Sequence, residues 1–177
     1  MIRGFAPIAG PDARVLILGT VPSVRSLEAG QYYGHPQNAF WPIMTALFVD
    51  DLRLEGAQLD YPARVDLLVQ SRVAVWDVLH AAERPGSMDS SIVEATAVPN
   101  DIAGFLAEHP AITQVFFNGA KAEQLFHRHI AGPVIPGSRE VHYHRLPSTS
   151  PANASLSFDA KLEAWAVVRV AAQGDMG

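Results

Sequence analysis

Four short apolar segments lie along the chain and are separated by longer stretches with helical periodicity. Three of them are almost continuously apolar, which is typical of parallel strands covered on both faces, and the fourth alternates more. We therefore predict four buried strands. In chain order they are Arg14–Gly19 (RVLILG), Val73–Val78 (VAVWDV), Thr113–Asn118 (TQVFFN) and Glu140–Leu146 (EVHYHRL).

The intervening stretches show the spacing and the end signals of helices. Between the first two strands, for example, apolar residues from Phe40 to Leu47 recur at i, i+3, i+4 and i+7, so they share one face of a helix. Proline in a first turn, Asn or Ser as a cap, and Gly after a last turn predict the other ends. The predicted helices are His35–Phe48, Pro62–Gln70, Asn100–Glu108, Lys121–Ala131 and Ser157–Ala172.

Strands that alternate with helices build a parallel sheet through right-handed crossovers, with helices on both faces. We therefore predict an α/β fold of three layers. In such folds ligands bind beyond the carboxyl ends of the strands, where the connecting loops meet. This rule points to four loops: Thr20–Asn38, Asp77–Ser91, Asn118–Ala120 and Pro147–Ala154.

Composition and charge narrow the class of protein. The chain has 177 residues, of which 49% are hydrophobic and 18% charged, and this predicts one folded domain over 1–177 rather than a disordered chain. The net charge of -5 argues against a protein that coats polyanions along their length. Because the chain has no cysteine, disulfides, thiolate metal sites and a cysteine nucleophile are excluded.

Two further patterns concern location in the cell. No apolar run approaches the roughly 20 residues that a membrane-spanning helix needs. The segment Met1–Asp12 contains two prolines and an aspartate and has no continuous apolar stretch, unlike a secretory signal peptide. We therefore expect a cytoplasmic protein.

The first of the four loops begins with a sharp turn. Gly19 and Pro22 bend the chain directly after a buried strand, and this leaves backbone N–H groups near a helix start free to bind an anion or a carbonyl oxygen. The spacing does not match the G-x-G-x-x-G fingerprint of dinucleotide sites. The residues of this turn are Gly19, Thr20, Val21, Pro22 and Ser23.

An aromatic cluster follows in the same loop. We predict Phe40 and Trp41, at the head of an apolar helix, as core residues. Tyr33 lies in a glycine-flanked stretch, where its ring could stack on a planar ligand or simply pack. Asn38 could cap the helix start, or it could hold a water or a substrate oxygen in the crevice.

The last loop combines two prolines with three small hydroxyl side chains. A rigid loop of this kind can approach a phosphate backbone and donate hydrogen bonds to it. The residues alone favour the plainer alternative, an ordinary Ser/Pro connection into the last helix. The residues of this loop that bear on either reading are Ser148, Thr149, Ser150, Pro151, Ala152 and Asn153.

Titratable residues near the strand ends admit two further roles. His142 and His144 share one face of the fourth strand and could bind a metal together with Asp77 or Asp89. Paired strand histidines are more often surface residues, and no third ligand is close in sequence, so we expect no metal site. Asp77, at the end of a buried strand, could cap the next turn or read a polar edge of a bound base.

Four motifs, taken together and in this order, resemble the uracil-DNA glycosylase superfamily: LILGTVPS (16–23), YGHPQNAFW (33–41), WDVL (76–79) and LPSTSPANA (146–154). The most similar branch is the hypoxanthine-DNA (deoxyinosine) glycosylases, followed by the mismatch-specific uracil/thymine glycosylases. The resemblance covers nearly the whole chain. It implies a three-layer α/β/α sandwich around a central four-stranded parallel sheet. It also implies hydrolysis, without metal or cofactor, of the N-glycosidic bond of a damaged deoxynucleotide that is flipped out of double-stranded DNA.

The same resemblance implies roles for individual residues. The turn from Gly19 to Ser23 would lie against the flipped nucleotide, and Tyr33 would stack on its base. The loop from Ser148 to Asn153 would press on the DNA backbone and minor groove and help to hold the base out.

One departure from the family pattern concerns the attacking water. Many relatives carry an Asp or Asn directly after the motif glycine, or two residues after it, to activate the water; here Thr20 and Val21 stand there. The hypoxanthine branch also lacks that residue and uses the Asn of its H-P-x-N motif, which is Asn38 here. Likewise, Ser148 and Ser150 stand where several families have a histidine. These departures argue against uracil as a substrate more than they argue against the fold.

Several alternatives stay open at this level. The excised base could be hypoxanthine, uracil or mismatched thymine. The chain could instead be a non-catalytic nucleic-acid-binding protein on the same fold, or a small-molecule hydrolase of nucleosides or esters. We expect a monomer, because nothing in the sequence demands a partner subunit.

Overall fold

A computed structural model describes residues 1–49, 59–130 and 139–174. Within these ranges the chain forms seven strands and six α-helices. The strands are β1 (Ile2–Arg3), β2 (Val15–Gly19), β3 (Val73–Asp77), β4 (Leu79–Glu83), β5 (Val93–Pro99), β6 (Gln114–Asn118) and β7 (His142–Leu146). The helices are α1 (Val24–Ala29), α2 (Phe40–Phe48), α3 (Tyr61–Gln70), α4 (Ile102–Glu108), α5 (Ala120–His129) and α6 (Phe158–Ala172). None of these helices is both long and apolar enough to cross a membrane.

The four predicted strands form one parallel sheet in the order β3-β2-β6-β7. In the centre of this sheet, Ile17 of β2 lies opposite Val75 on one side and Phe116 on the other. All residues of β2 and β6 are buried, which explains why these segments have so little polar alternation. The prediction of an α/β fold with a four-stranded parallel sheet is confirmed.

Side chains leave the central strand β2 alternately toward two separate cores. Val15 and Ile17 enter the core under α2, α3 and α6, which contains the fully buried Trp165. Leu16 and Leu18 enter the other core, under α4 and α5. Burial of a Leu or Ile side chain stabilises a fold by about 1.5–3 kcal/mol. The carboxyl end of β2 is therefore held firmly in the middle of three layers.

A second, smaller sheet was not predicted. It is antiparallel, in the order β1-β4-β5, and β4 falls inside the segment Asp77–Ser91 that we expected to be a loop. β4 starts two residues after the end of β3 and is five residues long, so its alternation merges with the apolar pattern before it. The expectation of one uninterrupted loop is wrong, and the connection proper begins at Arg84.

Two predicted helix starts also need correction. α2 begins at Phe40 rather than at His35, because Asn38 Oδ1 accepts the Phe40 N–H at 2.9 Å and sets the first turn there. The cap of α4 is Asp101, while Asn100 instead donates to a backbone carbonyl at the end of β3.

The first loop, Thr20–Asn38, is likewise not continuous, since it contains the short helix α1. The end of the predicted helix Lys121–Ala131 lies outside the described residues. The helices Pro62–Gln70 and Ser157–Ala172 were predicted to within one residue of their observed bounds.

Candidate active site

A cavity of about 370 Å³ lies at the carboxyl edge of the parallel sheet. It is bordered by the segments that follow β2, β3, β6 and β7, which is where the sheet topology predicts a ligand. The residues that line it are Gly19, Thr20, Val21, Pro22, Ser23, Ser26, Tyr32, Tyr33, Asn38, Asp77, Arg84, Ser87, Met88, Asp89, Ser90, Asn118, Ser148, Thr149, Ser150, Ala152 and Asn153.

The turn after β2 is tied to the start of β4 by two backbone hydrogen bonds. The carbonyl oxygens of Gly19 and Thr20 accept the N–H groups of Val78 and Leu79 at 2.9 and 3.0 Å. The antiparallel sheet, although absent from the sequence prediction, therefore helps to fix the turn that borders the cavity.

Gly19 permits a close approach of two polar side chains. A Cβ atom on this residue would lie 2.6 Å from Asp77 Oδ1 and 2.9 Å from the Tyr33 hydroxyl. Both distances are shorter than a real Cβ contact allows. A side chain at position 19 would thus displace the carboxyl group or the phenol, and glycine keeps both beside the end of β2.

Tyr33 has an unusual backbone conformation and one covered ring face. Its φ of 52° lies in the left-handed region, which turns the side chain toward the cavity that it lines. One face of the ring stacks on Phe40, with centroids 4.0 Å apart and planes at 27°. The opposite face is the one that can receive a ligand. Burial, and then the nearby Asp77, raise the pKa of the Tyr33 hydroxyl far above its ordinary value, so the phenol stays neutral.

Asn38 lies at the cavity and at the start of α2 together. Its backbone N–H donates to the His35 carbonyl oxygen at 3.0 Å, and its Oδ1 accepts the Phe40 N–H. The carboxamide orientation is therefore fixed. Because a carbonyl oxygen has two lone pairs, Oδ1 retains capacity to accept a second hydrogen bond. The geometry is compatible with both sequence hypotheses for this residue, the helix start and the substrate or water contact.

The loop that follows β7 is held by hydrogen bonds to Asn118 at the end of β6 and by hydrogen bonds within the loop. The Thr149 N–H donates to Asn118 Oδ1 at 2.9 Å, and Asn118 Nδ2 donates to Thr149 Oγ1 at 3.0 Å. The Ser150 N–H donates to Ser148 Oγ, and Asn153 Nδ2 donates to the Ser148 carbonyl oxygen, each at 3.1 Å. This loop presents a rigid small-residue wall to the cavity.

Another wall is a buried charged cluster, made of Asp77, Arg84 and Asp89. Asp77 is 5% exposed and Arg84 is 6% exposed. Asp89 Oδ1 accepts the Thr20 hydroxyl at 2.9 Å, and Arg84 Nε donates to the Gly86 carbonyl oxygen at 2.7 Å. The chain between β4 and β5 is therefore folded around Arg84 and bonded to the turn after β2.

The charges in this cluster shift one another's protonation. Burial raises the pKa of Asp77 to about 7, the neighbouring Asp89 raises it as well, and Arg84 lowers it. Burial also raises the pKa of Asp89, against the hydrogen bond from Thr20 and the charge of Arg84. The pKa of Arg84 is lowered by burial and raised by both carboxyl groups. One arginine thus balances two carboxyl groups beside the cavity.

Three buried polar atoms around the cavity have no hydrogen-bond partner among the described residues: Tyr33 Oη, Asp77 Oδ2 and Arg84 Nη2. Leaving such an atom unpaired costs about 1–3 kcal/mol, so native proteins contain few of them. All three belong to residues that line the cavity, so water or a polar ligand bound there can supply the missing partners, whereas the other three such atoms, in His129, Arg139 and Tyr143, belong to residues that do not line it.

The structure brings the predicted site residues together. The candidate catalytic residue Asn38, the candidate base contacts Tyr33 and Asp77, and the turn 19–23 all line the cavity. Five of the six candidate DNA contacts line it too, and Pro151 is the exception within the same loop.

The histidine pair lies elsewhere on the sheet. His144 Nε2 lies 2.6 Å from Gln114 Oε1, and its ring stacks on Phe116. Over the described ranges, no group of three or more His, Asp or Glu side chains is placed to hold a metal ion.

Sequence reasoning missed several members of the site. Arg84 and Asn118 are the most consequential, since one has a buried nitrogen without a hydrogen-bond partner among the described residues and the other anchors the last loop. Both lie in loops or at strand ends that the topology rule had singled out, so their position was a usable signal. The other unpredicted lining residues are Ser26, Tyr32, Ser87, Met88 and Ser90.

Comparison with known proteins places this geometry in a family. A family model described as the uracil DNA glycosylase superfamily matches residues 7–169. A hypoxanthine DNA glycosylase of Methanosarcina acetivorans is 33% identical over 169 residues, covering 94% of this chain and 98% of the relative. A second one, of Methanosarcina barkeri, is 31% identical over 166 residues, covering 93% and 95%. A solution NMR structure from Methanosarcina acetivorans, assigned provisionally to the uracil DNA glycosylases, superposes with a TM-score of 0.73 at 31% identity, covering 97% of this chain and 98% of its own.

Proposed function

Because the chain belongs to the uracil-DNA glycosylase superfamily, we propose that it removes hypoxanthine from DNA by hydrolysing the bond between the base and deoxyribose. DNA glycosylase activity, and DNA as substrate, follow from the family and the curated relatives. The choice of hypoxanthine rests on the names of those relatives. The observation that carries the site assignment is that Tyr33, Asn38 and Asp77 line a single cavity at the carboxyl edge of the sheet.

Asn38 is the proposed catalytic residue. Cleavage passes through an oxocarbenium-like sugar, which a water attacks at C1′ while the base departs with the bonding electrons. The fixed carboxamide oxygen of Asn38 accepts a hydrogen bond from that water and holds it in line, while its bond to Phe40 keeps the carboxamide from rotating. An amide positions the water without removing its proton, and the net reaction transfers that proton to the departing base.

The departing base carries negative charge, and the turn after β2 is the proposed site that stabilises it. Since Pro22 has no N–H, the proposed backbone donors are those on either side of it, Val21 and Ser23. Donors that are fixed before the reaction and shielded from water stabilise developing charge most effectively. Thr20 takes no part in water activation, because its hydroxyl donates to Asp89.

The remaining proposed contacts hold the flipped nucleotide. The free face of Tyr33 stacks on the base, and the wall formed by residues 148–153, including Pro151, touches the DNA backbone. Extrusion of a base costs a few kcal/mol, and least where the base is mispaired, which favours deaminated bases. Uracil and mismatched thymine are the secondary substrates to test. We also propose that the protein acts as a monomer in the cytoplasm.

Duplexes that carry one deoxyinosine, one deoxyuridine or one T·G mismatch test the proposal. Each is incubated with enzyme in excess, and abasic sites are then cleaved with alkali. We expect strand breaks at deoxyinosine, and release of free hypoxanthine measured by chromatography. Cleavage of the deoxyuridine or T·G duplex with none at deoxyinosine would overturn the assignment of hypoxanthine while leaving the family intact.

A further inference from the structure

Asp77 offers hydrogen-bond acceptors and Arg84 offers donors, and both residues line the cavity; each also has one buried polar atom without a hydrogen-bond partner among the described residues. We infer that Asp77 and Arg84 read the deaminated edge of the base: Asp77 accepts the ring N–H next to the carbonyl, and Arg84 donates to the carbonyl oxygen. This inference rests on the proposed function. It goes beyond it by naming the side chains that separate a deaminated base from its amino parent.

Arg84 is built as a fixed donor. Its side chain is almost completely buried, and the 2.7 Å bond from Nε to the Gly86 carbonyl oxygen sets the plane of the guanidinium. Since the guanidinium is planar, this bond also sets the direction of the unpaired Nη2. Asp89 supplies a compensating charge and is itself held by Thr20.

Asp77 is built as a fixed acceptor. Asn100 Nδ2 donates to its backbone carbonyl oxygen at 2.8 Å, so the end of β3 cannot rotate freely. Its Oδ2 is buried without a partner, and Gly19 leaves room beside its Oδ1. Burial raises the pKa of Asp77 to about 7 although the charge of Arg84 lowers it, so above pH 7 the group is a carboxylate, which accepts hydrogen bonds and cannot donate them.

Hypoxanthine matches this pair and adenine opposes it. Hypoxanthine presents N1–H as a donor and O6 as an acceptor, whereas adenine presents N1 as an acceptor and its amino group as a donor. In adenine both contacts are reversed, so a lone pair would face Asp77 and an amino group would face Arg84. Two mismatched buried polar contacts discriminate strongly, because the protein groups stay unpaired. Uracil offers the same arrangement at N3–H and O4, and cytosine reverses it, so the pair recognises deamination itself.

A cycle between enzyme and substrate deletions tests the contact of Arg84. Single-turnover rates are measured for the wild type and Arg84→Met on duplexes that carry deoxyinosine or deoxynebularine, which lacks O6 and, with it, the N1 proton. We expect Arg84→Met to lower the deoxyinosine rate at least about tenfold and the deoxynebularine rate less than about threefold, because the contact is already absent there. Arg72→Met is the matched control, since Arg72 lies at the other end of β3 in an exposed ion pair with Asp12.

Asp77 is tested with a second pair of variants. Asp77→Leu removes the acceptor, while Asp77→Asn retains a carbonyl oxygen in the same place. We expect Asp77→Leu to lower the deoxyinosine rate at least about tenfold, and Asp77→Asn to recover most of that loss. Thermal melting of every variant, taken with substrate-free protein, shows which are folded under the assay conditions. If Arg84→Met is unfolded, Arg84→Leu is used in its place, because leucine also has no hydrogen-bond donor.

The outcomes separate the two claims. If Arg84→Met lowers the rates on deoxyinosine and deoxynebularine by the same factor, Arg84 does not bind the carbonyl oxygen of the base. If Asp77→Leu and Asp77→Asn have equal rates, Asp77 does not accept the ring N–H. In both cases the wild type still cleaves deoxyinosine, so the proposed function stands. A wild type that cleaves only deoxyuridine refutes hypoxanthine as the substrate, and the same variants are then compared on deoxyuridine and deoxycytidine.

Discussion

In the loop after β7, polar side chains bond to one another and to Asn118, whereas around Asp77 and Arg84 buried polar atoms have no partner among the described residues. Both regions line the same cavity. A satisfied region is stable in the absence of ligand and keeps its shape, while an unsatisfied region gains its partners only when a ligand arrives. The comparison teaches that the loop after β7 maintains the shape of the cavity, whereas Asp77 and Arg84 contact the ligand. We call the loop after β7 the support, and Asp77 with Arg84 the reader.

The largest expected effect comes from crowding the reader. Gly19→Ala places a methyl group against Asp77 Oδ1 and the Tyr33 hydroxyl. Since displacement of positioning groups by about 1 Å can cost about a hundredfold, we expect the single-turnover rate on deoxyinosine to fall by at least about that factor. Gly10→Ala, which crowds only the Val69 side chain, is the control. A wild-type rate for Gly19→Ala would show that the positions of Asp77 and Tyr33 do not depend on a glycine at residue 19.

The next effect concerns the support. Asn118→Ala deletes two buried hydrogen bonds and leaves the Thr149 N–H and hydroxyl unpaired. We expect the free energy of unfolding to fall by about 2–3 kcal/mol in urea titrations. Ser155→Ala removes only an exposed bond to Asn153 and should change it by less than about 0.5 kcal/mol. Equal effects of the two variants would show that the loop is not held from Asn118.

Asn38 has features of both regions. It is hydrogen-bonded to the start of α2, as the loop after β7 is hydrogen-bonded to Asn118, and it also lines the cavity. We expect Asn38→Ala to lower the single-turnover rate at least about tenfold while DNA binding changes little, because the water loses its acceptor. Asn38→Asp keeps that acceptor and the bond to Phe40, and should retain more activity than Asn38→Ala. An unaltered rate for Asn38→Ala would leave Asn38 as a helix-start residue only.

The smallest effect is a gain in stability from neutralising the reader. The pKa of Asp77 rises from 3.8 in the unfolded chain to about 7 in the fold, where it faces Asp89, Arg84 and Tyr33. Between these values the folded chain retains a proton that the unfolded chain has released, so stability falls as pH rises from about 4 to 7. We expect Asp77→Asn to be more stable than the wild type by about 1 kcal/mol at pH 8, since the amide is also left without partners. The difference should shift in favour of the wild type as the pH falls from 8 to 4, as measured by thermal melting, and a pH-independent difference would contradict a buried carboxyl group.

The sequence predicts the support of this molecule better than its reader. Continuous apolar runs such as that at 15–18 identify the parallel strands, and the strand-end rule then locates the cavity. The strand β4 was missed because alternation over five residues cannot be separated from the buried strand that precedes it. Arg84 was missed for a related reason. Its burial depends on the fold of the chain from 84 to 91 around it, which no local pattern in the sequence encodes.

A crystal structure of Asn38→Ala bound to a duplex with one deoxyinosine tests the central claim most directly, since the variant is expected to leave the nucleotide intact. The account predicts an extruded hypoxanthine in the cavity, with its ring on the free face of Tyr33, its N1–H at Asp77 and its O6 at Arg84. A base that stays stacked in the duplex, or that binds outside the cavity, would contradict it.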